Sequence, residues 1–158
     1  MDRDVLTKAM KTSISEVLEK MFFLPLDFSE AGSPGDLWEA GEQEVLAIRL
    51  AFEGPFSGHF LFFIPWMLGT TLAADFMGID AEGVSTEHVE QTAKEIVNMI
   101  AGSTFSALDD QAVFDLGIPE PVPANEAWQG KDGSQDPVFL GVELIDGRLG
   151  LGLVPVER

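Results

Sequence analysis

The chain has no cysteine, only two histidines, and nine lysines and arginines against twenty-seven aspartates and glutamates. Without thiols there can be no disulfide, no thiolate zinc site and no cysteine nucleophile, and a reducing compartment is compatible with that absence. His59 stands in an apolar run and His88 at the start of a helical pattern, neither with a second ligand cluster at metal spacing, so no metal site is expected in this chain. The shortage of cations leaves a formal net charge of −18. Such a surface repels nucleic-acid backbones and anionic membranes alike, and suits either plain solubility or a partner with a basic patch. Long apolar runs are missing too, none being long enough to cross a bilayer. Met1-Asp2-Arg3-Asp4 opens into a lysine-bearing helix without the apolar stretch of a signal peptide, so the expectation is a cytoplasmic protein that meets no membrane.

Nucleotide and hydrolase motifs are lacking as well. Gly130-Lys131 has neither the upstream glycine nor the downstream hydroxyl of a phosphate-binding loop, and no Gly-x-Ser-x-Gly elbow occurs. Gly147, Gly150 and Gly152 fall within a hairpin with no helix behind them to receive a phosphate, and read as strand glycines. No cofactor is expected on this chain. What remains is 158 residues, 46% of them hydrophobic, enough for the core of one domain.

Val5, Leu6, Ala9, Met10, Ile14, Val17, Leu18, Met21 and Phe22 recur at helical spacing, with Thr12, Glu16 and Glu19 on the polar side. Residues 29–43 read as a surface connection, anchored by Trp38. Strict alternation from Glu44 to Phe52 predicts a half-buried strand. After Gly54-Pro55, the run Gly58 to Ile64 predicts a buried one, and its aromatics Phe60, Phe62 and Phe63 read as core. Pro65 suits an early residue of a short helix through Met77, stopped by Gly78. Past a long central helix, 113–116 is a short strand candidate and 117–137 a Pro/Gly/acid loop. Val138 to Ile145 and Arg148 to Val154 then flank Asp146-Gly147, a two-residue hairpin signal. Helix, loop and hairpin thus occur twice, about 4–78 and 85–156. The expected fold is α+β: a single domain over residues 1–158 of two diverged units, their hairpins sharing an antiparallel sheet packed by two long helices.

The central helix carries the unusual residues. Ser85 or Thr86 caps it, and Val89, Ala93, Ile96, Val97, Ile100, Thr104 and Ala107 form its apolar stripe, with Gln91, Glu95, Asn98 and Gly102 on the opposite side. Glu95 and Asn98 are three apart and therefore neighbours on one face. A solvated face accounts for the glutamate. The asparagine is a mediocre helix residue whose amide both donates and accepts, which is what orienting a water needs.

Gln91, Glu95, Asn98 and Pro121 together resemble the signature of the CheC/CheX/FliY-type chemotaxis phosphatases: Asp or Ser, three residues, Glu, two residues, Asn, twenty-two residues, Pro. The departure is Gln91 at the first position. The resemblance implies a CheC-like fold and hydrolysis of an aspartyl phosphate on a CheY-like response-regulator receiver domain. In those roles Asn98 would hold the attacking water and Glu95 would pair with the receiver's active-site lysine. Gln91, Gly102 and Pro121 would contact the partner, which brings its own Mg²⁺. It also implies one working helix here: set against Gln91-Glu95-Asn98, the first helix offers Thr12-Glu16-Glu19 or, one turn on, Ser15-Glu19-Phe22, so that Glu19 or Phe22 stands where the central helix has Asn98. Two alternatives stay open: a module that binds phosphorylated receivers without hydrolysing them, and a structural subunit of a motility or signalling complex. Sheet edges would permit a homodimer.

Overall fold

The computed structural model describes residues 2–38, 43–109, 111–128 and 137–156. Helix α1 (Arg3–Phe22) begins at Asp2, whose carboxylate accepts the Asp4 N–H at 2.9 Å, and ends at Phe23 in the left-handed region with φ 54°. Leu6, Ala9, Met10, Ile14, Val17, Leu18 and Phe22 are buried as their spacing predicts, whereas Val5 and Met21 lie at the margins of the stripe and are exposed. Pro65 closes a strand rather than opening a helix, so α2 runs Trp66–Met77 and stops at Gly78 with φ 66°.

Helix α3 (Thr86–Leu108) starts at a reciprocal cap: the His88 N–H donates to Ser85 Oγ and the Ser85 N–H to His88 Nδ1, both at 3.1 Å. His88 therefore has a local structural role. The predicted stripe is buried except Ala107, which is exposed. In the last turns the aromatic group of Phe52, Phe56, Phe60 and Phe114 draws Phe105 inward instead.

Four long strands make the sheet: β2 (Val45–Glu53), β3 (Ser57–Pro65), β6 (Val138–Leu144) and β7 (Gly147–Val156). Each hairpin is antiparallel and β7 pairs with β3 between them, so both hairpins share one sheet as expected. The hairpin turn is Ile145-Asp146, one place earlier than the Asp146-Gly147 signal, because Leu144 pairs with Gly147. This register puts Val138, Leu140 and Val142 opposite Leu153, Leu151 and Leu149, all in the helix-side core; a one-residue slip would turn one set away from it.

Short strands finish the edges. Just before the expected surface connection, and sharing only Ser29 with it, lies β1 (Asp27–Ser29), paired with β6; the strand expected at 113–116 is reduced to β4 (Asp115–Leu116), paired with β2. The stretch 117–137 was expected to be loop, yet it contains β5 (Glu120–Val122), also on β2, and a helical turn, α4 (Ala124–Ala127). The segment after α1 thus joins the second hairpin and the segment after α3 joins the first. Such an exchange is compatible with two related units about 4–78 and 85–156.

The helices cover one face of this sheet. Leu46, Ile48, Leu50, Phe60, Phe62, Ile64, Leu149, Leu151 and Leu153 meet Met10, Ile14, Leu18, Ile96, Val97 and Ile100 there. The other face is closed by loops, with Leu37 and Trp38 over Ala47, Leu61, Phe63 and Phe139, and Trp128 packed beside them. A Cβ at Gly152 would collide with the Trp128 ring and one at Gly150 with Phe139, which accounts for the glycine-rich strand.

Candidate functional site on the central helix

Helix α3 packs beside α1 and α2 and lies over β2 and β3. With Ile96, Val97 and Ile100 fully buried, the rotation of the helix is fixed. That rotation leaves Gln91, Glu95 and Gly102 exposed and Asn98 half-buried, on the face away from the sheet. Among the described residues no hydrogen bond or ion pair engages the side chains of Gln91, Glu95 or Asn98. A carboxylate and a carboxamide thus stand one turn apart with their polar atoms available to a partner.

Gly102 continues this stripe. A Cβ built there meets nothing within 4 Å, so no internal packing requires glycine, although glycine costs a helix about 1 kcal/mol against alanine. Pro121, distant in sequence, is held in β5 opposite Ile48, and so on the helix side of the edge strand beside β2, the strand that α3 overlies. An edge position suits proline, which has no N–H to offer the ladder. Beside Pro121, on the back of the sheet, Glu120 and Arg49 form an exposed ion pair at 2.6 Å.

On α1 the expected counterpart residues Thr12, Glu16 and Glu19 are also exposed. His59 lies on the back of the sheet, opposite Ala51 and Val154, away from this face; burial, reinforced by the Arg49 charge, holds its pKa below the usual imidazole value. Among the described residues no group of three His, Asp or Glu side chains is placed to hold a metal ion, and no helix is long and apolar enough to cross a membrane.

The family model for the chemotaxis phosphatase CheX matches residues 46–139, more than half of the chain. The chain belongs to the CheX family. The matched stretch runs from β2 into β6 and includes all of α3 and Pro121, leaving α1 outside. No curated protein sequence matches significantly. Solved structures agree on the fold. A CheC-like chemotactic protein from Shewanella oneidensis superposes with TM-score 0.77 at 14% identity, over 98% of this chain and 100% of that one. The chemotaxis protein CheX from Vibrio vulnificus gives 0.76 at 16% identity, over 96% of both chains. A chain of the CheX–CheY–BeF3–Mg²⁺ complex from Borrelia burgdorferi gives 0.69 at 15%, over 95% and 97%. The α+β arrangement of long helices on an antiparallel sheet is therefore that of CheX and CheC-like proteins.

Proposed function

We propose that this member of the CheX family hydrolyses the aspartyl phosphate of a CheY-like receiver domain by inserting the Gln91-Glu95-Asn98 face of α3 into the receiver's active site. The observation that carries the reading is the unpaired Glu95–Asn98 couple on a helix whose rotation the core fixes. Phosphoryl transfer asks for an in-line nucleophile and for stabilised charge on the equatorial oxygens. A receiver with its own lysine and Mg²⁺ meets the second need, and the missing component is a positioned water. Asn98 accepts a hydrogen bond from that water while its N–H donates toward the phosphoryl oxygens. The water oxygen bonds to phosphorus and the bond to the aspartate oxygen breaks. Its electrons remain on the regenerated carboxylate, and both water protons leave with inorganic phosphate. Glu95 pairs with the receiver's lysine and so orients the complex as well as attracting it.

The family match and the existence of a CheX–CheY complex among proteins of this fold support the partner class. One observation favours a second reading: Gln91, where the signature has Asp or Ser, suits a module that binds phosphorylated receivers without hydrolysing them. The test is decay of the acyl phosphate on purified receiver domains, with and without this protein and its Asn98→Ala variant. Acceleration that disappears in the variant supports hydrolysis. Binding without acceleration above spontaneous decay favours the second reading.

A further inference from the structure

The polar stripe of α3 does not end at Gly102. One turn on, Ser106 follows on the same face, and beyond it the helix stops at Asp109. There a hollow of about 210 Å³ opens between the end of α3 and the returning chain, lined by Gly102, Phe105, Ser106, Asp109, Phe114 and Leu116 among others. Its apolar wall is a stacked pair, Phe105 on Phe114, with ring centroids 3.9 Å apart and planes 6° from parallel.

The electrostatics of this corner are unfavourable to the isolated fold. A helix C-terminus carries partial negative charge and is stabilised by a cation, yet α3 has no basic residue in its last turn and is followed by the Asp109 carboxylate. One oxygen of that carboxylate accepts the Gln111 N–H at 2.9 Å, and the side chain is otherwise exposed at the rim. An open glycine at one end, an aromatic wall and a doubly negative rim suit a planar cation on a flexible stem.

We infer that this hollow is a second contact site for the receiver, taking an arginine side chain whose guanidinium lies against the Phe105–Phe114 pair and bonds to Asp109. The inference rests on the receiver-binding reading, because Gly102 and Ser106 belong to the same stripe as Glu95 and Asn98. Arginine fits better than lysine: its guanidinium is planar, weakly hydrated and able to stack on an aromatic ring while donating to a carboxylate. Gly102 then has a reason to lack a side chain, since a Cβ and anything beyond it would stand over the mouth of the hollow.

Two variants and one cycle test this on a receiver charged with acetyl phosphate. Asp109→Asn removes the charge and retains the shape. It should raise KM for the phosphorylated receiver about fivefold, with the effect in KM rather than kcat. Gly102→Leu covers the hollow with a better helix former, so lost affinity cannot be blamed on lost folding, and the melting temperature should not fall. On the receiver side, one arginine replaced by glutamine should reproduce the Asp109→Asn loss, and the two substitutions together should lose no more than either alone. KM within twofold of the unmodified protein for Asp109→Asn overturns the inference, whatever Gly102→Leu does. So does a change of sedimentation coefficient in Gly102→Leu, which would assign the hollow to a second copy of this chain. If the unmodified protein dephosphorylates no receiver, the hydrolysis reading fails by itself. The same variants are then compared by calorimetry against a beryllofluoride-loaded receiver, where undiminished affinity or no binding at all also overturns the arginine site.

Discussion

Asn98 is half-buried in the middle of a helix, a place to which its side chain is poorly suited, and it has no hydrogen-bond partner among the described residues. A residue chosen for the fold would be alanine or leucine. Asn98→Ala should therefore leave thermal stability unchanged or slightly raised, while turnover of a phosphorylated receiver falls about a hundredfold, a typical loss when one transition-state donor is removed. Hydrolysis at the unmodified rate with saturating protein would refute the water-positioning role. Glu95→Ala should weaken binding and turnover together, since its carboxylate is exposed and its proposed work is to meet the receiver's lysine. His59 gives a different prediction. Its pKa is lowered in the folded protein by burial first and the Arg49 charge second. The unfolded chain then binds more protons between the folded value and the ordinary imidazole value of 6.5, so the neutral-imidazole contribution is present above 6.5 and is lost as pH falls through the folded pKa. Replacing His59 with glutamine should flatten the dependence of unfolding free energy on pH in that window, measured by urea titration at several pH values. An unchanged slope would show that the group titrates alike in both states.

Elements with a strong period were legible before any coordinates. Nine spaced apolar residues specified α1 and a seven-residue stripe specified α3, because burial of one face must repeat with the helix. Of the four long strands, β2 was legible for the same reason at period two, β3 as a buried apolar run, and β6 and β7 from the turn signal between them. Segments of two or three residues have no period to read: β1, β4 and β5 exist because a long strand offers them an unpaired edge. Pro121 even argued locally against a strand, since its missing N–H becomes harmless only once β5 is known to be an edge. The candidate site was legible as a spacing on α3. The place of Pro121 beside β2 depended on that unseen pairing, and the hollow at Asp109 on a loop closing over Phe105. At this scale the rotation of α3 is testable. Ile96→Ala or Ile100→Ala should cost about 2–5 kcal/mol in denaturant unfolding, given that both side chains are fully buried. A loss below about 0.5 kcal/mol would mean that the helix presents another face. Helix α1 supplies the contrasting case: Glu16 and Glu19 are exposed but bring no amide, and an anion there would repel a phosphoryl group. Glu16→Ala and Glu19→Ala variants should keep most of the hydrolysis. A loss comparable to that of Asn98→Ala would make α1 a second working site.

Across the whole molecule, a net charge of −18 on 158 residues does nothing for the fold, because like charges gathered on a compact surface repel one another. The field they produce acts at a distance. The proposed contacts add to it at close range: Glu95 toward a lysine, and Asp109 with the end of α3 toward an arginine, both drawing a cationic surface onto one helix face. A field of this kind should act mainly on the rate of encounter, since it orients and attracts before contact and is screened beyond about 10 Å at 0.1 M salt. Stopped-flow mixing with a beryllofluoride-loaded receiver should then show the association rate falling by about an order of magnitude between low and near-molar salt, with the dissociation rate changing much less. The Glu95→Ala variant should show a shallower salt dependence than the unmodified protein, because one of the charges aimed at the partner is gone. An association rate indifferent to salt would leave solubility as the work of the acidic surface. It would also move the source of affinity to the apolar wall of the hollow and the uncharged stripe of α3.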